Sequence, residues 1–236
     1  MNAKMKKRSM LSVTMIIGTL MILASGCAMT VPPPNITPHQ GALHSKSGSS
    51  TILIAGGAAG KGFGNGAGGN ARYQYQLNDN LALGASGTFG FNTDESNDDQ
   101  IHQLFSGRVY GRYYPDFWEY ISFGFGVGGG SLRSDLGYLT LDSSLILSVP
   151  LFSDVVELYT AAHIAFSHPF GGYMDNIPPY DDDIYLEDTF FGGGSLGFLT
   201  HFTDQVAWSV DFSTMFGTAG DSTYFALTSG LQVSIW

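Results

Sequence analysis

From Ser50 to the last residue, large apolar side chains alternate with small, uncharged ones. The pattern is clearest in three segments, 119–129, 205–216 and 223–236. Because successive side chains of a strand point to opposite faces, each segment has one large apolar face and one small face with few charges. Segments of about ten residues with this alternation, separated by turn residues, are the sequence pattern of a transmembrane β-barrel.

The low charge content argues against a soluble domain. Only 13% of the residues are charged, against about 25% in typical soluble domains, so Lys and Glu are too few to cover a soluble outer face. After residue 24 the sequence lacks the apolar run of about 20 residues that a membrane-spanning helix requires. A closed barrel is the other structure that satisfies its backbone hydrogen bonds in lipid. The predicted fold is therefore all-β: a closed antiparallel up-and-down transmembrane barrel in residues 50–236.

The alternation predicts about ten strands, with eight as the alternative count. They lie at about 51–59, 69–77, 81–92, 101–114, 119–129, 137–149, 155–167, 186–201, 205–216 and 223–236. Short polar turns near 78–80, 115–117, 152–154 and 203–204 alternate with longer connections near 61–68, 92–99, 130–137, 169–183 and 218–222. In outer-membrane barrels the periplasmic turns are short and the external loops longer. Both ends of the barrel domain are therefore expected to face the periplasm.

The first thirty residues predict export. Residues 4–8 are mostly basic, and an apolar stretch runs from Met10 to Ala24, which fits a signal peptide better than a membrane span. The stretch leads into Leu23-Ala24-Ser25-Gly26-Cys27, which resembles the lipobox of bacterial lipoproteins. The resemblance implies a signal peptide at 1–26, acyl chains on Cys27 and a Pro-rich periplasmic tether at 27–49, and Ala28 implies the outer membrane. The expected location is the cell outer membrane, with the N-terminus lipid-anchored on the periplasmic side. An ordinary signal peptide with an incidental Cys27 is the alternative.

Few charged residues fall on the predicted strands, and by alternation they share the inner face. Because buried charges must be paired and hydrogen-bonded, the sequence predicts an internal ion-pair network that plugs the lumen. Tyr110, Tyr114, Tyr159, Gln74 and Gln76 are expected to complete it. The alternative is a charged constriction in a channel. The predicted network comprises Arg72, Arg108, Arg112, Asp142, Glu157 and Asp211.

The aromatic residues support this orientation. Trp118, Trp208 and Trp236 lie near the predicted short turns, where amphipathic rings form a membrane-interface girdle. The external girdle is assigned to Phe89, Phe91, Phe166, Phe190 and Phe216. At the level of pattern, residues 50–236 resemble the small outer-membrane β-barrels of the opacity and surface-antigen type, which also end in an aromatic residue. The resemblance implies contacts with outer-membrane lipid, lipopolysaccharide and the outer-membrane assembly machinery.

Two predicted external loops are strongly acidic. Carboxylates are ligands for hard divalent cations, so one hypothesis is a weak Ca²⁺ or Mg²⁺ site at the rim. Solvated, mutually repelling loop charge is the alternative. The net charge of −10 argues against nucleic-acid binding. The candidate cation ligands are Asp181, Asp182, Asp183 and Glu187.

The sequence favours a structural or surface-interaction barrel that makes its contacts through loops 92–100 and 168–184. A narrow channel for small solutes or ions is the first alternative, and an outer-membrane lipid hydrolase is the second. Nucleophilic catalysis needs a serine and a histidine within hydrogen-bond reach. His163 and Ser167 share a strand face but lie roughly 13 Å apart along it. An enzyme is therefore not expected.

Overall fold

The computed structural model describes residues 46–61, 66–93, 101–133, 136–152, 155–171, 188–218 and 223–236. These residues form ten antiparallel strands, which confirms the predicted count and makes the alternative of eight wrong. The strands are β1 (Ser50–Lys61), β2 (Gly66–Asn78), β3 (Leu81–Thr93), β4 (Ile101–Tyr113), β5 (Ile121–Arg133), β6 (Leu136–Leu151), β7 (Val156–Gly171), β8 (Thr189–His201), β9 (Val206–Gly217) and β10 (Thr223–Ile235). Among the residues described, no helix is long and apolar enough to cross a membrane.

Each strand pairs with its sequence neighbours, and β1 pairs with β10, so the sheet closes into a barrel. The closing ladder runs from Ser50 opposite Ile235 to Lys61 opposite Tyr224. Closure gives every strand two hydrogen-bonding neighbours, which lipid requires because it offers no other partner for backbone groups. The predicted all-β antiparallel barrel is confirmed.

The two ends of the barrel differ. We call the end that carries Ser50 and Ile235 the turn end. Its connections are residues 79–80, 114–120, 152–155 and 202–205. The opposite end is called the loop end, and its connections are residues 62–65, 94–100, 134–135, 172–188 and 218–222. The connections at the two ends differ in length less regularly than predicted. One loop-end connection has only two residues, and one turn-end connection has seven.

The shortest loop-end connection corrects the predicted loop at 130–137. Strand β5 continues to Arg133, and β6 begins at Leu136. The glycines of β5 that face the lumen continue the strand because neighbouring side chains fill the space that their own would occupy. A Cβ on Gly130 would lie 2.7 Å from Oη of Tyr138, whose residue is only 3% exposed. Gly130 therefore accommodates a packed interior and does not form a turn.

The N-terminal end of β1 is held by a tight turn. The amide of Ser49 donates to the carbonyl of Lys46 at 3.0 Å, and Gly48 has a φ of 81°. That left-handed conformation is one that glycine adopts without steric cost. Gly48 also donates to the carbonyl of Gln76 at 2.8 Å, and Gln76 donates to the carbonyl of Ser49 at 2.9 Å. The turn is thereby fastened to the end of β2.

Strands β6 and β7 are the longest, with 16 residues each, and each carries one proline. The ladder between β5 and β6 stops at Leu147, before Pro150. The ladder between β7 and β8 stops at Ser167, before Pro169. Proline lacks a backbone donor and is confined to strand edges. Both prolines therefore lie where their strand is paired on one side.

The two faces of the barrel differ in side-chain size and polarity, as the alternation predicts. The outer face carries exposed Leu, Ile, Val, Phe and Tyr side chains around the barrel. All three tryptophans lie at the turn end: Trp118 in the 114–120 connection, Trp208 near the start of β9 and Trp236 directly after β10. Near the loop end, Phe89, Phe190 and Phe216 are exposed, and Phe166 packs on Phe190 at 4.9 Å between ring centroids. The side chain of Phe91 lies outside the described residues.

Candidate functional site in the barrel lumen

The six charged residues assigned to the lumen all lie on the inner face. The cations occupy one side of the barrel, on β2 and β4, and the carboxylates occupy the other, on β6, β7 and β9. Four of the six are buried, namely Arg72, Arg112, Glu157 and Asp211. The other two, Arg108 and Asp142, are about one-tenth exposed, at 11% and 10%. The lumen thus has a cationic wall that faces an anionic wall.

Arg108 and Asp142 form a two-point ion pair. Nε of Arg108 donates to Oδ2 of Asp142 at 2.6 Å, and Nη2 donates to Oδ1. The two residues lie on β4 and β6, with β5 between them, and Gly126 is the residue of β5 opposite Asp142. Because Gly126 has no side chain, the guanidinium lies across β5 and reaches the carboxylate. Paired hydrogen bonds of this kind fix both distance and orientation.

The arginines also lie over tyrosine rings. The guanidinium carbons of Arg108 and Arg72 lie 5.0 and 5.5 Å from the ring centroid of Tyr110. Arg112 lies 5.6 Å from the ring of Tyr114. Contacts within about 6 Å are favourable because the ring face attracts a cation. Sequence reasoning placed these tyrosines in the lumen but missed the cation–π contacts.

On the anionic wall, Asp211 is fully buried and accepts a hydrogen bond from the hydroxyl of Ser213 at 2.5 Å. Tyr159 and Asp211 lie on either side of Gly197 in register. The hydroxyl of Tyr159 lies over this glycine, where an added Cβ would come within 2.5 Å of it. Glu157 lies nearer the turn end, with Oε2 at 4.0 Å from Nε2 of His201. Because Gly197 has no side chain, the ring of Tyr159 can lie across β8 toward Asp211 on β9.

Apolar side chains also fill part of the lumen. One cluster comprises Ile146, Tyr159, Ala161, Leu199 and Ala207. A second, nearer the loop end, comprises Ala165, Phe191, Met215 and Ala226, with Tyr224 packed against it. The rings of Phe191 and Tyr224 meet edge to face at 6.1 Å. The alternation in the sequence indicates a small, polar inner face, so these apolar clusters could not be predicted from it.

Burial of the inner face changes with depth. At the level of Arg108, Ser144 and His163, and above it toward the loop end, several inner side chains are partly exposed. Below that level the described inner side chains are buried down to the last turn-end residues, with His201 partly exposed at the rim. Buried positions in this lower half include Gln74, Gln76, Arg112, Ser122, Ser148 and Ser209. The half of the lumen next to the turn end is therefore filled by its own side chains.

The structure places His163, the candidate base, beside a different serine from the candidate nucleophile Ser167. Nε2 of His163 is 3.1 Å from Oγ of Ser195, which lies on β8 and is buried. Ser167 lies four residues along β7 from His163, and His168 pairs with Asp188 at 2.6 Å on the exposed rim. The His163–Ser195 contact satisfies two polar groups inside the lumen. It does not place Ser167 beside a base.

Two sets of predicted sites lie outside the described residues. They are Cys27 with its tether, and the candidate cation ligands Asp181, Asp182, Asp183 and Glu187. Within the described ranges, no group of three or more His, Cys, Asp or Glu side chains is arranged to hold a metal ion. The lipidation and rim-cation hypotheses therefore stay predictions from the sequence.

A closed antiparallel barrel with an apolar outer face and a polar, charged interior defines an integral membrane protein with the fold of outer-membrane β-barrels. No protein-family model and no curated protein matches the sequence. Among solved structures, the chain is similar to Neisserial surface protein A, with 13% identity over 80% of this chain and 99% of that one, and a TM-score of 0.42. It is also similar to an outer membrane channel from Pseudomonas putida F1, with 11% identity, 87% and 100% coverage, and a TM-score of 0.46. The translocator domain of the autotransporter NalP from Neisseria meningitidis has 13% identity, 80% and 89% coverage, and a TM-score of 0.47.

Proposed function

We propose that the protein is an integral barrel lipoprotein of the bacterial outer membrane, with a structural or surface-contact role and no catalytic activity. The observation that carries this proposal is the filled half of the lumen next to the turn end. Buried Arg112, Tyr159 and Glu157 occupy space that a water-filled passage would need. A barrel closed in this way holds its position in the membrane and presents its connections, but it does not conduct.

Several of the interior charges have partners that lower the cost of burying them. Arg108 is paired with Asp142, Asp211 accepts from Ser213, and the guanidinium of Arg112 lies over Tyr114 and donates to Ser122 at 3.2 Å. Buried charges without such contacts would each cost several kcal/mol, on the order of magnitude expected for ions in a low-dielectric interior. We therefore interpret the network as a plug that also stabilises the barrel. This interpretation is favoured over a selectivity filter because the arginines contact protein groups.

The surface-contact role rests on the asymmetry of the barrel ends. The longest connection at the loop end is residues 172–188, and the segments 92–100 and 168–184 each contain four acidic residues. In this proposal these segments face the cell exterior, and outer-membrane lipid and lipopolysaccharide surround the barrel. The outer-membrane assembly machinery inserts it.

The plug predicts an electrically silent barrel. Purified protein in planar lipid bilayers is expected to give no stepwise conductance, because no ion path crosses the filled half of the lumen. Replacing Arg112 and Tyr114 together with alanine is expected to produce conductance steps, since it removes two large buried side chains from that half. Steps in the unmodified protein would show that the channel alternative is correct.

The anchor is tested separately with Cys27→Ser. The unmodified protein is expected to incorporate radiolabelled palmitate, to fractionate with the outer membrane and to change gel mobility on boiling. The variant is expected to lose the label while keeping the boiling-dependent shift, because the barrel itself spans the membrane. Loss of both properties would mean that the lipid alone holds the protein there. An unlabelled native protein would favour an ordinary signal peptide.

A further inference from the structure

The two most exposed large apolar side chains of the described residues lie in turn-end connections and not on a strand face. Phe117, between β4 and β5, is 79% exposed, and Phe152, between β6 and β7, is 70% exposed. Because β5 and β6 pair with each other, these two connections are neighbours on the rim of the barrel. The rings of Phe117 and Phe152 therefore form an uncovered apolar surface, which we call the rim rings.

The surroundings of Phe117 argue against burial of its ring in lipid. Asp116 and Glu119 of the same connection are exposed carboxylates. The side-chain amide of Asn80 donates to the carbonyl of Tyr114 at 2.9 Å and to the carboxylate of Asp116, so the connection is tied to the turn after β2. Moving the ring into lipid would carry charged groups into an apolar phase, which is costly. An uncharged partner outside the lipid fits this ring better.

The segment that precedes β1 joins the barrel at the same rim. Lys46 is the first of the described residues, and the turn that it begins is fastened to the end of β2, where Gly48 donates to the carbonyl of Gln76 at 2.8 Å. The turn that follows β2 carries Asn80, which holds the connection of Phe117. The attachment point of the N-terminal segment and the connection of Phe117 are therefore both fixed to the β2–β3 hairpin.

Residues 28–45 have the chemistry of a partner for the rim rings. They include four prolines and no Asp, Glu, Lys or Arg, so the carboxylates beside Phe117 do not repel them. Proline-rich segments favour the polyproline II conformation, which docks on aromatic side chains at a low entropic cost. At about 3.1 Å per residue, the chain from Pro38 to Lys46 can span roughly 25 Å. Ten strands about 4.8 Å apart and tilted by about 40° enclose a barrel roughly 20 Å across, so the segment can reach both rings.

We propose that the proline-rich segment 31–38 of this chain docks on the rim rings, Phe117 and Phe152, and forms a strap across the turn end of the barrel. A contact that is weak between separate molecules is sufficient, because a short linker gives an effective concentration on the order of millimolar. The strap leaves only the residues before 31 free, so it holds the barrel close to whatever the N-terminus is attached to. This inference goes beyond the structural and surface-contact role, and it does not require acyl chains on residue 27.

Disulfide trapping tests the strap. A full-length Cys27→Ser background has no other cysteine, and Asn35→Cys then places one thiol within the proline-rich segment. The second thiol is Glu119→Cys, in the connection of Phe117, or the control Asp204→Cys, in the connection between β8 and β9. Both are exposed carboxylates at the turn end, but β10 alone separates β9 from β1, whereas β2 and β3 separate β4 from it. Disulfide formation with diamide in detergent micelles is followed on non-reducing gels, and the gel shift on boiling verifies the fold of each variant.

The expected result is that the disulfide to position 119 forms within one molecule about tenfold faster than the disulfide to position 204. Adding Phe117→Ser and Phe152→Ser is expected to lower this ratio to about one or less, because an undocked segment meets the nearer position at least as often. A ratio of one or less with both rings present would overturn the strap, and so would a high ratio that persists without them. Disulfides between two molecules would assign the rings to a second copy of the chain, and loss of the preference in phospholipid vesicles would assign them to lipid, and either result overturns the proposal. None of these outcomes depends on conductance or on cellular location, so they are distinguishable from failure of the proposed function.

Discussion

Replacing Arg108 with alanine is expected to lower the free energy of unfolding by about 3–5 kcal/mol, because it leaves Asp142 as a nearly buried carboxylate without its cation. Both nitrogens that Arg108 presents to Asp142 are lost, and so is the contact with the ring of Tyr110. The measurement is urea unfolding of the purified barrel in detergent micelles, followed by tryptophan fluorescence and by the fraction that migrates as folded protein on unheated gels.

The control for this prediction replaces both partners. The double variant Arg108→Met with Asp142→Leu removes the pair without leaving a charge behind, and its stability is expected to be much closer to that of the unmodified protein. If Arg108→Ala costs less than about 1 kcal/mol, the pair behaves as a solvent-exposed salt bridge. In that case water reaches it freely, and the network does not stabilise the barrel.

Replacing Gly197 with valine is expected to destabilise the barrel by about 1–3 kcal/mol or more, the cost typical of overpacking a filled interior. A Cβ at this position would lie 2.6 Å from Cε2 of Tyr159, whose side chain is only 1% exposed. The ring lies in the filled half of the lumen, so it cannot move aside without displacing its neighbours. The same urea unfolding measurement applies.

Gly192→Val is the matched control, because it lies on the same strand but on the outer face, where an added Cβ would meet nothing within 4 Å. Its stability is expected to be unchanged or slightly higher, since glycine weakens strands and valine favours them. Equal losses for the two variants would mean that β8 responds to any side chain, and that the contact between Tyr159 and Gly197 is not specific. If Gly197→Val has the same free energy of unfolding as the unmodified protein, the space between Gly197 and Tyr159 is not tightly packed.

Alternation was enough to predict which charges face inward. The side-chain period of a strand is two, so Arg72, Arg108 and Asp142 could be assigned to the lumen once the strands were placed. The strand count followed for the same reason, since each alternating segment is one strand. The apolar outer face of the barrel could likewise be predicted from the alternation of side chains in the sequence.

Which charges meet could not be predicted in the same way. Arg108 and Asp142 are on strands that are not neighbours, and their contact depends on the register of two ladders and on the missing side chain of Gly126 between them. The contact of His163 with Ser195 also depends on register, because the hypothesis considered residues along one strand and the partner lies on the next. The predicted loop at 130–137 was misjudged for a related reason: Gly130 faces the lumen, where its missing side chain makes room for the ring of Tyr138.

The ladder between β1 and β10 has a consequence for how the molecule forms. It pairs residue 50 with residue 235, so the last ladder to form depends on the most distant contact in the domain. Contacts between residues so far apart in sequence form slowly because the chain between them must lose its freedom first. Until they form, β1 and β10 each present an unpaired edge that can bind another strand. The final step of folding is therefore also the step at which the protein is most exposed to aggregation, and it is the step at which a chaperone or insertase that covers a strand edge would have the greatest effect.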